Sequence, residues 1–287
     1  MRLAVMSDIH SNNIAFEACI NDIEKSNIDG ICFLGDYISD CPNPQATINL
    51  IRELKSKYKT WMVKGNREQY FINHEEDIDN GWSYLSYEGS LLYTYEKLSE
   101  EDLDIFRKLP MKVTVNITGT EPILMVHGSQ RHLKELLFKG KDNTKQRMLE
   151  MKENYILSGH THVQTHYIYK NKVLVNPGSV GLAIGERATA QYAVLEWEGD
   201  EWKVELKVVP YDFNKIREIF YNSSLMKKGG VWPYCILKSL DEGINFGPLC
   251  SKKARDFAIE DGVDIENNKI PKEYWLRATK DLGVVLE

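Results

Sequence analysis

Five short apolar segments within the first 160 residues share one arrangement. Each is the length of a buried strand, and each runs directly into glycine, histidine, carboxylate or amide residues. Amphipathic helical patterns separate the first three segments, and a β-α-β-α-β order is typical of a parallel sheet with right-handed crossovers. The sequence therefore predicts an α/β core with strands at residues 3–6, 30–34, 60–63, 123–126 and 155–158.

The residues that directly follow these strands indicate a metal site. Carboxyl ends of parallel strands line the crevice in which α/β sheets bind ligands. Three carboxylate or amide oxygens and four imidazoles are too many for one tetrahedral ion. They suit two adjacent five- or six-coordinate ions that share one carboxylate. The candidate ligands are Asp8, His10, Asp36, Asn66, His127, His160 and His162.

The rest of the chain divides by its pattern. Residues 67–110 break the alternation with helix-like, aromatic-rich pieces, and residues 130–152 read as a polar, basic helix. Residues 163–209 are rich in short strands, and helical character returns from about residue 211. We predict one domain over residues 1–210, with 67–110 as a helical insertion, and a helical C-terminal extension over residues 211–287.

The order D-x-H, G-D, G-N, H and G-H-x-H resembles the calcineurin-like metallophosphoesterase superfamily. The resemblance covers roughly residues 1–210, and its length and layout are most similar to the YfcE-like phosphodiesterase branch, as is the stretch at 176–179. It implies a four-layer α-β-β-α sandwich of two mixed β-sheets, followed here by the C-terminal helices. It also implies that Asp36 bridges two ions, one held by Asp8, His10 and His162 and the other by Asn66, His127 and His160.

The resemblance implies a phosphoesterase that uses two divalent or transition metal ions, either Mn, Fe, Ni or Zn. Two ions about 3.5–4 Å apart can generate a bridging hydroxide that attacks phosphorus. We expect a phosphodiesterase or nucleotide pyrophosphohydrolase, in which Asp36, Arg67 and His127 are the catalytic residues. The alternatives are a diadenosine-polyphosphate hydrolase, a phosphomonoesterase or protein phosphatase, and, from another class, a non-catalytic binding scaffold with the same fold.

Arg67 departs from the family pattern, which usually reads Gly-Asn-His-Asp/Glu where this chain has Gly65-Asn66-Arg67-Glu68. The family histidine is the expected proton donor to the leaving group. An arginine cannot act as a general acid, although it can grip phosphate through two parallel hydrogen bonds. We therefore expect poor activity on substrates whose leaving group needs a proton.

Substrate contacts are assigned to Asn12, Asn66 and Arg67, and the substrate is expected to be small, phosphorylated and nucleotide-like. Asn12 has an equally good interpretation as a helix cap. His132 is an alternative acid, and the basic residues around it could recruit phosphate, although a solvated helix face is the commoner explanation. The C-terminal extension is interpreted as a lid, a buttress or a contact in a homo-oligomer. The aromatic residues of the insertion favour a small core over a base-stacking surface: Tyr70, Phe71, Trp82, Tyr84, Tyr87, Tyr93 and Tyr95.

Net charge and cysteine content indicate which partners and which cellular location to expect. A net charge of -6 argues against bulk binding to nucleic acid or an anionic membrane. No segment approaches the ~18–20 apolar residues of a membrane span, and no signal peptide is visible. Five cysteines without C-x-x-C spacing indicate reduced thiols in a cytoplasmic protein. His74 and His166 fit no ligand position and are predicted to be surface or strand residues.

Overall fold

The computed structural model describes residues 1–78, 81–86, 88–265 and 270–286. Its first sheet has the strand order β10-β9-β1-β2-β3, in which β1, β2 and β3 are parallel and β9 and β10 run antiparallel to their neighbours. All five apolar segments predicted as strands are strands. The bounds of the first sheet are β1 Arg2–Met6, β2 Gly30–Phe33, β3 Lys59–Met62, β9 Thr189–Trp197 and β10 Trp202–Pro210.

The second sheet has the order β4-β5-β6-β8-β7. Its strands β5, β6 and β8 are parallel, and the edge strands β4 and β7 are antiparallel to them. The two predicted strands nearest to the later histidine motifs therefore belong to a different sheet from the first three. The bounds are β4 Lys112–Val115, β5 Ile123–Val126, β6 Tyr155–Ser158, β7 Thr165–Tyr169 and β8 Lys172–Asn176.

Strand β1 illustrates how the layers pack. Its side chains alternate between the two faces of the sheet, so Leu3 and Val5 join the core between the sheets, while Ala4 and Met6 join the core under the helices. On the far side, the outer face of the second sheet packs against Met148 of α6 (Asp142–Glu150). The chain is therefore the predicted four-layer α-β-β-α sandwich of two mixed sheets.

The helices that cover the first sheet follow from local sequence. Helix α1 (Asn13–Ile23) buries Phe16, Cys19 and Ile23 on one face, which is the spacing of an amphipathic helix. Helix α2 (Pro44–Lys57) begins with proline, whose fixed φ suits the first turn. The insertion carries α3 Asn66–Glu75, α4 Gly89–Tyr95 and α5 Glu100–Lys108.

The C-terminal helices pack onto the sandwich through their own apolar cluster. Phe213 and Ile216 of this extension share one buried apolar cluster with Cys41, Tyr93 and Leu182. None of the helices in the described ranges is long and apolar enough to cross a membrane. The bounds are α7 Phe213–Asn222, α8 Leu225–Lys228, α9 Trp232–Glu242, α10 Phe246–Glu260 and α11 Lys272–Asp281.

One predicted helix is shorter than expected. The basic stretch at 130–152 is helical only in α6, while most of residues 130–141 has no regular structure. In this region the hydroxyl of Ser129 accepts from the backbone N–H groups of Arg131 and His132 at 3.1 Å, which closes a local turn.

Candidate metal centre

The loops that follow β1 and β2 are joined backbone to backbone. The N–H of Asp8 donates to Gly35 O at 3.0 Å, and the N–H of His10 donates to Asp36 O at 3.1 Å. Gly65, which follows β3, lies so close to this pair that a Cβ would sit 2.2 Å from the nitrogen of Asp36. Only glycine permits that approach, so the three loops of the first sheet meet at one point.

The first ligand group consists of Asp8, His10 and His162. The Nε2 atom of His162 lies 3.2 Å from Asp8 Oδ1 and 3.2 Å from His10 Nε2. The distance from His10 Nε2 to Asp8 Oδ1 is 3.7 Å. Ligands about 2.0–2.2 Å from one ion stand at separations of this size. The first group thus has the spacing of a metal site.

The second group consists of Asp36, Asn66, His127 and His160. The Nε2 atom of His127 lies 3.0 Å from Asn66 Oδ1 and 3.5 Å from Asp36 Oδ2. His160 completes a set with Asp36 and His127 whose ligand atoms all lie within 4.8 Å of one another. The same Asp36 Oδ2 is 3.9 Å from His10 Nε2 of the first group. Asp36 therefore lies between the two groups.

Three imidazoles are oriented through their outer nitrogens. Nδ1 of His127 donates to Leu34 O at 2.8 Å, and Nδ1 of His162 donates to Leu182 O at 3.1 Å. Nδ1 of His10 lies 2.8 Å from Asp40 Oδ2. A proton fixed on Nδ1 leaves the lone pair on Nε2, which is the usual arrangement of metal-binding histidines.

The backbone at the ligands is held in an uncommon conformation. Left-handed φ values outside glycine cost about 1–3 kcal/mol each and cluster at functional sites, where surrounding contacts enforce them. One such contact is the bond from the His160 N–H to Asp8 Oδ2 at 3.0 Å. Positive φ values occur at Asp8 (55°), His10 (50°), Asp36 (53°), His160 (64°) and His162 (57°).

The charges of the centre are strongly coupled. Burial alone would raise the pKa of Asp8, but the imidazoles of His162 and His10 outweigh it and hold that pKa well below its usual range. Burial opposes the charge on His10, but Asp40 and Asp8 raise its pKa to about 9. Burial and the neighbouring His127 lower the pKa of His160 to about 4, so its ring is neutral at pH 7.

These residues fit a pair of metal ions. Asp8 is fully buried, yet its Oδ1 atom has no hydrogen-bond partner among the described residues and is directed at His10 and His162. A buried carboxylate oxygen without a donor is costly unless a cation is bound there. Nitrogen and oxygen ligands in two groups, with one shared carboxylate, suit divalent ions of the first transition series.

Asp40 adjoins the candidate metal centre and was not identified by the sequence analysis. Its Oδ2 atom contacts His10 Nδ1 at 2.8 Å, Ser39 Oγ at 2.7 Å and Arg67 Nη2 at 3.1 Å. Its Oδ1 atom accepts from the indole N–H of Trp232 at 2.6 Å. Asp40 thus links the candidate ligand His10, the side chain of Arg67 and Trp232 of the C-terminal extension. The available signal was a second aspartate four residues after Asp36 in a loop.

Glu68 was quoted in the motif but given no role. It is fully buried and accepts from the N–H groups of Asp36, Tyr37 and Gly65, each at 2.9 Å. Burial, reinforced by the Asp36 carboxylate, raises the pKa of Glu68. Its three bonds hold the loops that present Asp36 and Asn66, which gives the last position of the third motif a positioning role.

The stretch at 176–179 fixes the remaining loops. Asn176 donates to Gly159 O at 2.7 Å, and the hydroxyl of Ser179 donates to Asp8 O at 2.7 Å. These bonds connect the G-H-x-H loop of the second sheet to the D-x-H loop of the first. Residues 176–179, at which the sequence resembles the YfcE-like branch, therefore hold two of the ligand-bearing loops together.

The predicted substrate residues are placed as follows. Asn12 is fully buried and caps α1, since its Oδ1 accepts from Ala15 N at 3.1 Å and its Nδ2 donates to Gly181 O at 2.9 Å. These bonds favour the capping interpretation, and a phosphate contact by Asn12 stays a prediction. Arg67 lies beside the centre, and its N–H donates to Asp36 Oδ1 at 2.8 Å.

The remaining histidines lie outside the ligand set. His132 is exposed, and its Nδ1 accepts from Lys134 N at 3.0 Å rather than facing a metal ligand. His166 is exposed on β7, as predicted. His74 is different, because its ring stacks on Trp82 at 4.2 Å within the insertion. Tyr87 lies outside the described residues.

Comparison with known proteins identifies the family. Residues 1–200 match the calcineurin-like phosphoesterase superfamily domain, and the chain belongs to that superfamily. The prediction drawn from the five motifs is therefore confirmed at this level, whereas the assignment to a branch and the domain boundary at 210 stay predictions.

Individual relatives cover much of the chain. It is 29% identical over 238 residues to an uncharacterized protein of Methanocaldococcus jannaschii, across 75% of this chain and 90% of that protein. A hypothetical protein from Pyrococcus horikoshii has a TM-score of 0.71 at 23% identity, covering 85% of this chain and 98% of the other. A metallophosphoesterase from Sphaerobacter thermophilus gives 0.61 at 23% identity, covering 77% and 93%. The two structures establish a shared fold.

Proposed function

We propose that this protein is a binuclear metal-dependent phosphoesterase acting on phosphodiester or phosphoanhydride bonds of small nucleotide-like substrates. The observation that supports it best is the position of Asp36. Its Oδ2 atom lies 3.5 Å from His127 Nε2 and 3.9 Å from His10 Nε2, between two groups of metal-ligating side chains. A shared carboxylate of this kind is what a two-metal hydrolytic site requires.

Two divalent ions bound there would supply Lewis acidity, lowering the pKa of water and neutralising the phosphate oxygens. Mn, Fe, Ni and Zn all suit these ligands. The chain's own residues do the rest. Asp8, His10 and His162 would hold one ion, Asn66, His127 and His160 the other, and Asp36 both. Asn66 contributes a neutral amide, which limits the negative charge that an anionic substrate meets.

Arg67 determines which leaving groups the site tolerates. Burial opposes its charge, but Asp40 and Asp36 raise the pKa of its guanidinium further, so it donates hydrogen bonds without giving up a proton. We infer that the enzyme stabilises a leaving group that is already anionic. Aryl esters and phosphoanhydrides meet this condition, so phosphodiesters with alkyl leaving groups should be the poorer substrates.

The proposal also covers the cellular location and the partners of the protein. The net charge of -6 and the five buried thiols suit a cytoplasmic enzyme that acts on small molecules. No bulk binding to nucleic acid or membrane is proposed. A homo-oligomer stays a prediction.

The test is hydrolysis of bis-p-nitrophenyl phosphate by the full chain after chelation and stepwise return of Mn, Ni, Zn or Fe. The proposal expects activity that disappears with the chelator, returns with metal, and exceeds that on p-nitrophenyl phosphate. His160→Gln should abolish it. His166→Gln is the matched control, because His166 is an exposed histidine on β7. Retention of full activity after chelation would contradict the proposal, and a metal-loaded but inactive protein would favour the scaffold.

A further inference from the structure

A cavity of about 340 Å³, here called the side cavity, adjoins the metal centre. Asp40 and Arg67 form its metal side, and Tyr70, Lys134 and Trp232 form other parts of its wall. Its volume lies at the lower end of the range for small-molecule pockets, about 300–1,000 Å³. A larger cavity of about 670 Å³ lies between the insertion and the C-terminal helices, and neither Asp40 nor Arg67 is among its lining residues.

Two cationic side chains lie against one aromatic ring of the side cavity. The guanidinium of Arg67 is 5.8 Å and the ammonium of Lys134 is 4.5 Å from the ring centre of Tyr70. Arg67 uses Nη2 on Asp40, while its Nε has no hydrogen-bond partner within the described ranges. Both cations can therefore bind an anion without leaving this wall.

Trp232 gives the side cavity a fixed aromatic surface. Its indole N–H is bonded to Asp40 Oδ1 at 2.6 Å. On its other edge the ring packs onto Gly247, where a Cβ would meet it at 3.0 Å. Trp232 is only partly buried, so the ring is held in place while part of its surface stays accessible. A flat aromatic ligand can stack on such a surface at low entropic cost.

Ser90 adds an unused polar group. It lines the same cavity and is 1% exposed, yet its hydroxyl has no hydrogen-bond partner in the described part of the chain. Buried hydroxyls are normally bonded. Ser90 therefore leaves a hydroxyl with unused hydrogen-bonding capacity in the wall of the side cavity.

We propose that the side cavity binds a nucleoside monophosphate as the leaving group, so that the substrate is a nucleotide phosphoanhydride. Arg67 and Lys134 bind the departing phosphate, and Trp232 stacks on the base. The proposal rests on the phosphoesterase function proposed above and names its substrate class. It also accounts for Arg67, because a phosphate leaving group carries its own negative charge and needs no proton.

The reaction is a hydrolysis. The oxygen of water forms a bond to the phosphorus held at the metal centre, and the bond from that phosphorus to the bridging oxygen breaks. The nucleoside monophosphate leaves with the bridging oxygen and its electron pair. Of the two protons of the water, one stays on the attacked phosphoryl group as its P–OH and the other is released to solvent, and no further reactant is consumed.

The test compares diadenosine 5′,5′-diphosphate with bis-p-nitrophenyl phosphate, which has no nucleoside. Lys134→Met should lower kcat/KM for the dinucleotide about tenfold more than that for the reporter. Trp232→Leu should show the same selective loss relative to Trp232→Phe, since both variants lack the N–H bonded to Asp40 and only the phenylalanine keeps a ring. Lys108→Met, an exposed lysine at the end of α5 in the insertion, is the charge control and should change neither. Equal losses on both substrates would overturn the side-cavity assignment.

Binding of AMP to the full chain provides a readout independent of turnover. Calorimetry should show that AMP binds at least about tenfold more tightly than inorganic phosphate, and that Trp232→Leu removes this preference. Trp232→Phe keeps a ring but not the N–H, so it should keep the preference, and it guards against loss of folding in the leucine variant. If AMP and phosphate bind equally to the wild type, the side cavity is not a nucleotide site. If neither bis-p-nitrophenyl phosphate nor the dinucleotide is hydrolysed with any metal, the phosphoesterase function itself fails.

Discussion

The metal centre and the side cavity meet at Asp40 and Arg67 but are built in different ways. Every ligand of the metal centre lies within four residues of a strand end, and backbone bonds between adjacent loops set its position. The side cavity is walled by the insertion, the loop before α6 and the C-terminal helices, which are far apart in sequence. If the proposed function holds, the strand ends supply the hydrolytic chemistry and the segments around the side cavity select the substrate.

Asp36→Asn should cause the largest loss of activity, because it alters the metal centre itself. An amide keeps the shape but removes the charge that both ions would share, so kcat/KM for bis-p-nitrophenyl phosphate should fall about a thousandfold or more. Asp142→Asn is the matched control, since that side chain is 98% exposed. Survival of a tenth of the activity in Asp36→Asn would contradict a bridging role.

Asp40→Asn tests the residue at which the metal centre and the side cavity meet. Loss of the carboxylate that orients His10 should weaken one of the two metal ions by about 10–100-fold and leave the other nearly unchanged. Calorimetric metal titration resolves the two binding steps, and a melting curve with saturating metal checks folding. Equal weakening of both steps would show that Asp40 acts on the fold as a whole.

Arg67→His tests whether the residue at position 67 determines which leaving groups are accepted. A histidine at this position supplies a general acid, so hydrolysis of an alkyl ester such as 2′,3′-cyclic AMP should rise about tenfold or more relative to the aryl reporter. Kinetics on both substrates give the ratio. An unchanged ratio would mean that proton donation does not limit the choice of leaving group.

The smallest expected effect is a pH dependence of the stabilisation that bound metal provides. Burial opposes charge on His10 and His127, but neighbouring carboxylates raise the pKa of each in the metal-free protein from 6.5 to about 9. Stability from a raised pKa is fully present below pH 6.5 and is lost as pH rises through about 9. Metal requires neutral imidazoles. The rise in Tm on adding Mn should therefore grow from pH 6.5 to pH 9, and a constant rise would contradict this coupling.

Sequence reasoning succeeded where the constraint is local. Asp8 and His127 directly follow the strands β1 and β5 as expected, because a buried apolar run determines where the next side chain emerges. Their role as metal ligands stays a prediction. It could not find Asp40, whose role depends on Trp232, 192 residues away. A contact at that separation leaves no trace in periodicity or spacing.

The same limit applies to the basic stretch before α6. Its charges predicted a solvated helix face, but most of residues 130–141 has no regular structure. Lys134 therefore lies in a loop, against the ring of Tyr70. Composition identified the positive charge, and only tertiary packing shows where that charge is directed.

Metal content is the most direct test of the two-ion centre. Mass spectrometry of the full chain, loaded with Mn and freed of unbound ions, should find two equivalents per chain, and hydrolysis of bis-p-nitrophenyl phosphate should reach its plateau at the same ratio. A plateau at one equivalent, or binding of no metal at all, would contradict the assignment of Asp36 as the bridge between two ions.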